Sequence, residues 1–296
     1  MKKILAIALT VLFCATVAFA DEVEETLAGK VNEQIRNTTR QMIQAGINSD
    51  DAIKMTQLML RNQFSQQQTL KAQQMLMQAL QSGLPVKPIM DKAYEGMAKK
   101  VHSRSVLQAM ETVRSRYAFA CKQAGQLTEE SDKISSLGAL MADSMTAGVA
   151  MGDLELIMGC LQDRTRKMER KRVDDLATDV CVALRDMARL GASSEAITDV
   201  VSHALSQNYT AGDIKILRQS FVNNARHALP DSIAKSYARR IGQGERAEGL
   251  GSSAAGGAGA SGGAGSGGSN SGGSGPGSGG ENGGGSGGGG HGGGRD

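Results

Sequence analysis

The sequence contains no tryptophan, and aromatic residues make up only 3% of its 296 residues. A buried core therefore has to be built from Leu, Ile, Val and Ala, together with an unusual number of methionines, 15 in the whole chain. Sustained alternation of apolar and polar residues, the pattern of a half-buried strand, is hard to find. Glycine and proline lie mainly between segments filled with good helix formers. These features predict an all-α fold.

Long apolar runs are restricted to the start of the chain. Lys2 and Lys3 precede an apolar run over residues 4–17, and a small-x-small sequence at residues 18–20 stands before Asp21. These are the three parts of a secretory signal, so we expect cleavage after residue 20. The sequence thus predicts an exported protein of bacterial type, in the periplasm or outside the cell.

Two other membrane attachments are disfavoured by the same region. The apolar run is short for a bilayer span, which argues against an uncleaved anchor. Cys14 could mark a lipoprotein, but the bulky Phe13 stands where lipoprotein signals have a small residue. After residue 20 no apolar stretch reaches membrane-spanning length. We therefore expect a soluble mature chain without a transmembrane segment.

The chain also lacks an excess of one charge. Removal of Lys2 and Lys3 from the 33 basic residues leaves 31, against 30 acidic residues. A nearly neutral chain offers no bulk attraction to nucleic acid, so we predict no nucleic-acid partner.

Helical periodicity dominates residues 21–244. Apolar residues near every fourth position predict a first helix that ends at Gly46. This stripe comprises Val23, Leu27, Val31, Ile35, Met42 and Ile43. A second helix is predicted after Ser49, and a third between Ser65 and Gly83.

A faint internal repeat accompanies this periodicity. Cap, turn and aromatic signals recur at an offset of 145 residues, from Gly46 to Gly191 and from Phe64 to Tyr209. The aligned segments are Gly46…Ser49-Asp50, Asn62-Gln63-Phe64-Ser65 and Leu84-Pro85 with Gly191…Ser194-Glu195, Gln207-Asn208-Tyr209-Thr210 and Leu229-Pro230. A middle copy is suggested near Gly125. We expect degenerate repeats of helical hairpins, starting near residues 46, 125 and 191, in a short array or bundle. The alternative is a chance self-alignment of a helical composition.

The last segment, residues 245–296, consists almost entirely of Gly, Ser and Ala from about Gly249 onward. It has too little apolar surface to offset the entropy of ordering its backbone, so we predict a disordered tail. It lacks the interspersed Arg and aromatic residues of glycine-rich RNA-binding segments. Its expected role is a flexible extension.

Three cysteines, Cys121, Cys160 and Cys181, remain after signal removal. An odd number in an oxidising compartment allows one disulfide with one thiol left over, or three free thiols. Each lies within a helical apolar pattern, where cysteine behaves as a small core residue. We therefore predict a structural role, with no catalytic base in view.

Metal-binding patterns are weak. The histidines, never at paired ligand spacing, are His102, His203, His227 and His291. Exported methionine clusters can bind Cu(I), but helical spacing also describes a core stripe. The closest methionine pairs are Met55 and Met59, Met75 and Met77, and Met141 and Met145. We predict core packing, no metal and no other cofactor.

Two short acidic patterns resemble parts of enzyme motifs. Asp174-Asp175 with Asp179 resembles the aspartate-rich magnesium motif of helical prenyltransferases, but a second acidic cluster is missing. Glu130-Ser131 resembles the catalytic dipeptide of helical lytic transglycosylases, but the motifs that should follow it are absent. For the aspartates we predict a solvated helix face.

One dense basic run, residues 164–172, interrupts the mixed charge. Acidic neighbours suggest a solvent-exposed helix with i, i+4 ion pairs. Binding to an anionic surface, such as lipid head groups or an acidic partner, is the alternative.

No catalytic, cofactor-binding or metal-binding residue is predicted from these patterns. The leading functional hypothesis is a non-catalytic binding or structural module that contacts another envelope component. The alternative is an envelope hydrolase whose site is assembled from scattered residues.

Overall fold

The computed structural model describes residues 23–27, 29 and 31–252 of the chain. The predicted signal at residues 1–20, including Cys14, lies outside these residues, as does the glycine-serine segment after residue 252 with His291. The α-helices after residue 31 are α1 (Glu33–Gln44), α2 (Ser49–Arg61), α3 (Gln66–Gln81), α4 (Lys87–Ala98), α5 (Ser103–Gly125), α6 (Ser131–Ala147), α7 (Met151–Thr165), α8 (Arg170–Arg189), α9 (Ser194–Ser206), α10 (Ala211–Asn224) and α11 (Pro230–Gly242). A short 3-10 helix, Ala247–Ser252, follows. The predicted all-α fold is confirmed for this part of the chain.

Among the described residues, eight helix ends share one local structure. A residue with positive φ follows the helix, and its N–H and that of the next residue donate to carbonyls of the last turn. At the first such turn, the Gly46 N–H reaches the Ile43 carbonyl and the Ile47 N–H reaches the Met42 carbonyl, both at 3.0 Å. The eight positive-φ residues are Gly46, Gln63, Gly83, Lys100, Gly148, Gly191, Asn208 and Gly244. Six of the residues that follow them are buried, namely Ile47, Phe64, Leu84, Val149, Ala192 and Tyr209. Each of these turns therefore ends one helix, and six of the eight also anchor the following segment in the core.

The helices pack as an array in which most contact the helix two positions further along the chain. Thus α1 packs on α3 and α2 on α4, and later α6 packs on α8, α7 on α9, α8 on α10 and α9 on α11. The two longest neighbours in the middle, α5 and α6, pack directly on each other. The predicted array of helices is confirmed.

Most buried apolar residues of the described segments fall into two separate clusters. One, with members from Val23 to Met110, is the core of what we call the N-terminal half. The other, with members from Ala120 to Leu250, is the core of the C-terminal half. Helix α5 enters both cores, but none of its residues 111–119 is buried. We call this stretch of α5 the waist.

Helix bounds recur at the offset found in the sequence. Helices α2 and α9 both begin and end 145 residues apart, at residues 49–61 and 194–206. Gln63 and Asn208 have nearly the same backbone conformation, with φ of 59° and 61°. Ser65 and Thr210 each begin a helix with a capping box, in which cap and third residue exchange side-chain to backbone hydrogen bonds. These local structures follow the repeated residues.

Other aligned residues differ in structure. Leu84 follows the positive-φ Gly83 and is 7% exposed, whereas Leu229 precedes α11 and is 74% exposed. The repeated Leu-Pro therefore marks different turns. In the middle of the chain Gly125 is the last residue of α5 and has no positive φ, while Gly148 does.

The predicted first helix is interrupted. Residues 23–27 are helical, but Gly29 has a φ of 70° and α1 begins only at Glu33. The Asn32 side chain accepts a hydrogen bond from the Ile35 N–H at 3.0 Å, which caps the new helix. A single helix through Ile43 is therefore wrong, because an apolar stripe does not reveal a cap inside it.

The packed body extends past residue 244. Ala247 and Leu250 of the 3-10 helix are fully buried against the C-terminal core. Arg240 donates to the Glu245 carboxylate and, at 2.8 Å, to the Gly249 carbonyl. This segment packs on α10, two α-helix positions back, as the next helix of the array would.

Candidate functional site

The three cysteines in the described residues are free thiols. Cys181 is fully buried in α8, and burial raises its pKa to about 12. Cys121 is half-buried, and burial raises its pKa as well. Thiolate is the reactive form, so neither sulfur is prepared for nucleophilic attack at neutral pH. The Cys160 sulfur lies 3.9 Å from the Ser202 hydroxyl.

The histidines are placed apart. The His102 ring accepts a hydrogen bond from the Arg104 N–H at 3.3 Å and caps α5. The His203 Nδ1 lies 2.7 Å from the Asp199 carbonyl within α9, and His227 is exposed between α10 and α11. Over residues 23–27, 29 and 31–252, no group of three or more His, Cys, Asp or Glu side chains could hold a metal ion.

Ten of the methionines are buried in the two cores, namely Met42, Met55, Met59, Met75, Met90, Met97, Met110, Met141, Met158 and Met187. Of the pairs considered for copper, Met55 and Met59 pack together with Ile and Leu side chains in the N-terminal core. Their surroundings match the core packing predicted from helical spacing.

Two aspartates of the acidic motif in α8 pair with lysines of two different neighbouring helices. Asp174 pairs with Lys133 of α6, whereas Asp179 lies 3.5 Å from the Lys215 ammonium of α10. Asp175 alone is exposed. The predicted solvated face is thus wrong for two of the three aspartates, because ion pairs to flanking helices hold them part-buried. Asp174 and Asp179 therefore act as contacts between packed helices.

The other enzyme-like pattern, Glu130-Ser131, lies at the start of α6. Glu130 precedes α6 and accepts a hydrogen bond from the Lys133 ammonium at 2.9 Å. Ser131 is the exposed first residue of α6.

The basic run does not form one helix. Helix α7 ends at Thr165 and α8 begins at Arg170, with a turn between them. Met168 packs its side chain against the C-terminal core and holds that turn in place. Of the expected pairs, only Arg166 with Asp163, at 2.9 Å, joins a residue of the run to a carboxylate in the part of the chain that the structure describes. The continuous helix is wrong, because a turn at residues 166–169 separates α7 from α8 and its Met168 packs on the core.

Two clefts flank the waist. The first, of about 430 Å³, lies between α5, the end of α6 and the start of α7, and we call it the methionine cleft. Its polar wall on α5 comprises Gln108, Glu111, Thr112, Ser115 and Arg116, and its apolar wall comprises Met145, Val149 and Met151. Val149, which follows the positive-φ Gly148, is buried, whereas Met151 at the start of α7 is 49% exposed. The cleft is therefore built by one of the recurring turns.

The charged side chains that line the methionine cleft are hydrogen-bonded to other side chains of the protein. Arg116 donates to the Thr146 hydroxyl at 2.8 Å, which links α5 to α6. Glu111 accepts hydrogen bonds from the Arg114 guanidinium. These bonds are the main reason why the pKa of Glu111 lies below its ordinary value. A carboxylate with a lowered pKa accepts hydrogen bonds but is poorly placed to donate a proton near neutral pH. The cleft offers contacts for binding.

The second cleft, of about 490 Å³, lies where α5 and α6 meet the turn after α3. Cys121 and Arg114 contribute to its α5 wall, and Ser131 and Ile134 to its α6 wall. At its base the two helices approach closely, since a side-chain carbon on Gly138 would lie 2.7 Å from the Cys121 sulfur. Glycine is therefore needed at this seam.

The methionine cleft was not predicted from the sequence. In the sequence, Met145 is one member of a methionine pair at helical spacing, and Met151 belongs to no predicted site. The two side chains become neighbours because Gly148 turns the chain between α6 and α7. The pair Gly148-Val149 after a helical run is a turn signal, and it could have predicted the turn between α6 and α7. It could not have predicted that α5 forms the opposite wall of the cleft.

No helix of the described segments is both long enough and apolar enough to cross a bilayer. Comparison of the chain with protein-family models, curated proteins and solved structures finds no match.

Proposed function

We propose that this protein is an exported, non-catalytic binding module of the cell envelope, and that its methionine cleft receives a polypeptide segment of a partner. The observation that carries the proposal is the position of the cleft, between two packed cores and against the waist of α5. Its volume of about 430 Å³ falls in the range of ligand-binding clefts in proteins.

The chemistry of the two walls favours a polypeptide. Met145 and Met151 supply polarizable, flexible side chains that adapt to different apolar groups. The opposite wall presents the polar side chains of Gln108 and Ser115, which suit amide groups. A segment with apolar side chains on one face and polar groups on the other matches both walls.

Site-specific photocrosslinking in the producing cells tests this function. A benzophenone amino acid at Met151 or Thr112 should yield a discrete protease-sensitive adduct, identified by mass spectrometry. The same group at Leu229, which is exposed outside the cleft, serves as control. A Ser115→Trp substitution should suppress the adduct by filling the cleft, whereas Ser105→Trp, on an exposed part of α5, should not.

The identified partner is then purified and titrated against the wild-type chain and both tryptophan variants. Binding that weakens about tenfold or more only with Ser115→Trp supports the proposal. Equal adducts from Leu229, no adduct from either cleft position, or equal binding by both variants would refute it.

A further inference from the structure

We infer that the exposed cations between α7 and α8 form a docking surface for anionic lipid head groups. We call residues 164–172 the basic joint. It contains six basic residues, Arg164, Arg166, Lys167, Arg170, Lys171 and Arg172, and one acidic residue, Glu169. The inference goes beyond the binding function proposed above and does not depend on the methionine cleft.

One side chain anchors the basic joint to the C-terminal core. The Met168 side chain packs on the C-terminal core, and its N–H donates to the Thr165 carbonyl at 2.9 Å. This anchoring leaves the neighbouring cations at the surface, where five of them are exposed. They are Arg166, Lys167, Arg170, Lys171 and Arg172.

Most of these cations are not neutralised by the protein. Within residues 23–27, 29 and 31–252, no carboxylate lies within ion-pair distance of Lys167, Arg170, Lys171 or Arg172. The nearby Asp174 is engaged by Lys133. The joint therefore presents a net positive charge to its surroundings.

Local helix stability does not explain this arrangement. The positive end of a helix dipole favours acidic residues, and α2 accordingly has Asp50 and Asp51 in its first turn. Helix α8 instead begins with three consecutive basic residues, and the side chain of its N-cap residue, Glu169, makes no capping hydrogen bond. Exposed like charges at a positive helix end are destabilising, and an external anion relieves that cost.

The shape and composition of the joint favour a lipid surface. A chain turn at the end of two helices can approach a plane, and clusters of four to eight Lys and Arg are attracted to anionic membranes. Interfaces between proteins usually have an apolar centre, but the one apolar side chain here, Met168, is turned toward the core. A single phosphate in the adjacent cleft of about 250 Å³ is disfavoured, because Glu129 lines that cleft.

Vesicle co-sedimentation of the full mature chain tests the inference. Vesicles of phosphatidylglycerol and phosphatidylcholine are compared with vesicles of phosphatidylcholine alone. The test variant combines Lys167→Gln, Arg170→Gln, Lys171→Gln and Arg172→Gln. The matched control neutralises four exposed cations elsewhere, by Arg61→Gln, Lys71→Gln, Lys235→Gln and Arg239→Gln. Circular dichroism establishes that both variants are folded.

We expect salt-sensitive binding to the anionic vesicles only, weakened at least about tenfold in the test variant and much less in the control. Inorganic phosphate at millimolar concentration should not compete. Absence of vesicle binding, equal losses in both variants, or binding to polyglutamate but not to vesicles would overturn the inference. The crosslinking result at the methionine cleft is independent of each of these outcomes.

Discussion

In the N-terminal half seven of the 22 buried core residues are methionines, whereas the C-terminal half has three among 36. The C-terminal core contains twelve alanines. It also packs Phe221 edge-on to Tyr237, with 6.1 Å between the two ring centroids. Alanine permits close approach of helices, while methionine fills the irregular gaps left by wider spacing. The same helix order is thus compatible with two ways of filling a core.

The halves also differ in buried polarity. In the N-terminal half the Gln73 amide donates to the hydroxyls of Thr39 and Thr56 at 2.9 and 3.1 Å, and the three residues join α1, α2 and α3. The positions at the 145-residue offset are Leu184, Val201 and Arg218. Leu184 and Val201 are fully buried, and Arg218 instead donates to Asp186 at 2.9 Å. A polar contact and an apolar contact therefore occupy equivalent places in the array.

The largest expected effect comes from removing the aromatic centre of one half. Phe221→Ala should cost about 3–5 kcal/mol of unfolding free energy, because it empties a fully buried site. Since the waist separates the cores, hydrogen exchange should show lost protection in residues 120–252 and retained protection in residues 33–110.

The reciprocal control is Met59→Ala in the other core, which should affect mainly the N-terminal half. A uniform loss of protection in either variant would mean that the halves unfold as one cooperative unit.

A second change acts at the seam of α5 and α6. Gly138→Val should cost about 2–3 kcal/mol, because its side chain would meet the Cys121 sulfur at 2.7 Å and the Cys121 Cα at 3.3 Å. Gly159→Ala in α7 is the control, since nothing lies within 4 Å of the added carbon and helix propensity should raise stability. Urea denaturation measures both, and a neutral Gly138→Val would show that the seam can open without cost.

Alkali should destabilise the C-terminal half. Burial raises the pKa of Cys181 to about 12 from an ordinary 9.0, so the folded state favours the neutral thiol. The stabilisation is fully present below pH 9 and is lost as the pH rises toward 12, by about 1 kcal/mol at pH 10.

Denaturation curves from pH 8 to pH 11 test this dependence, with Cys181→Ala as the comparison. The variant should lose part of the alkaline dependence. If its pH profile matches that of the wild type, the Cys181 thiol does not contribute.

The smallest effect is expected at the polar contact of the N-terminal half. The Gln73 Oε1 is buried without a partner, while Thr39 and Thr56 also donate to helix carbonyls at 2.9 Å. Gln73→Met should therefore be neutral or stabilising by up to about 1 kcal/mol, since it removes an unpaired acceptor. The exposed Gln74→Met provides the control, and a loss above about 1 kcal/mol would show that the amide donor outweighs its unpaired oxygen.

Much of the local structure could be predicted from the sequence. Ser65 and Gln68 form a capping box through contacts three residues apart, and Gly191 ends a helix through bonds within its last turn. Such interactions depend on neighbouring residues, so their signals are present in short segments. The apolar stripes predicted helices for the same reason, although they missed the cap at Asn32 inside the first of them.

The candidate sites could not be predicted in this way. The methionine cleft requires Gln108 of α5 to face Met145 of α6, and the shape of the basic joint depends on where the half-buried Met168 packs. Asp174 and Lys133 are separated by 41 residues, and the sequence offers no sign of their pairing.

The amino-acid sequence by itself determined the helices and the recurring turns that end them, because those rest on interactions between residues close along the chain. The tertiary structure alone decided that Leu84 is buried while its aligned partner Leu229 is exposed. It also decided that the core is divided at the waist of α5 and that the methionine cleft opens there. Burial of a side chain depends on which distant helix covers it, and that choice is made only when the helices pack together.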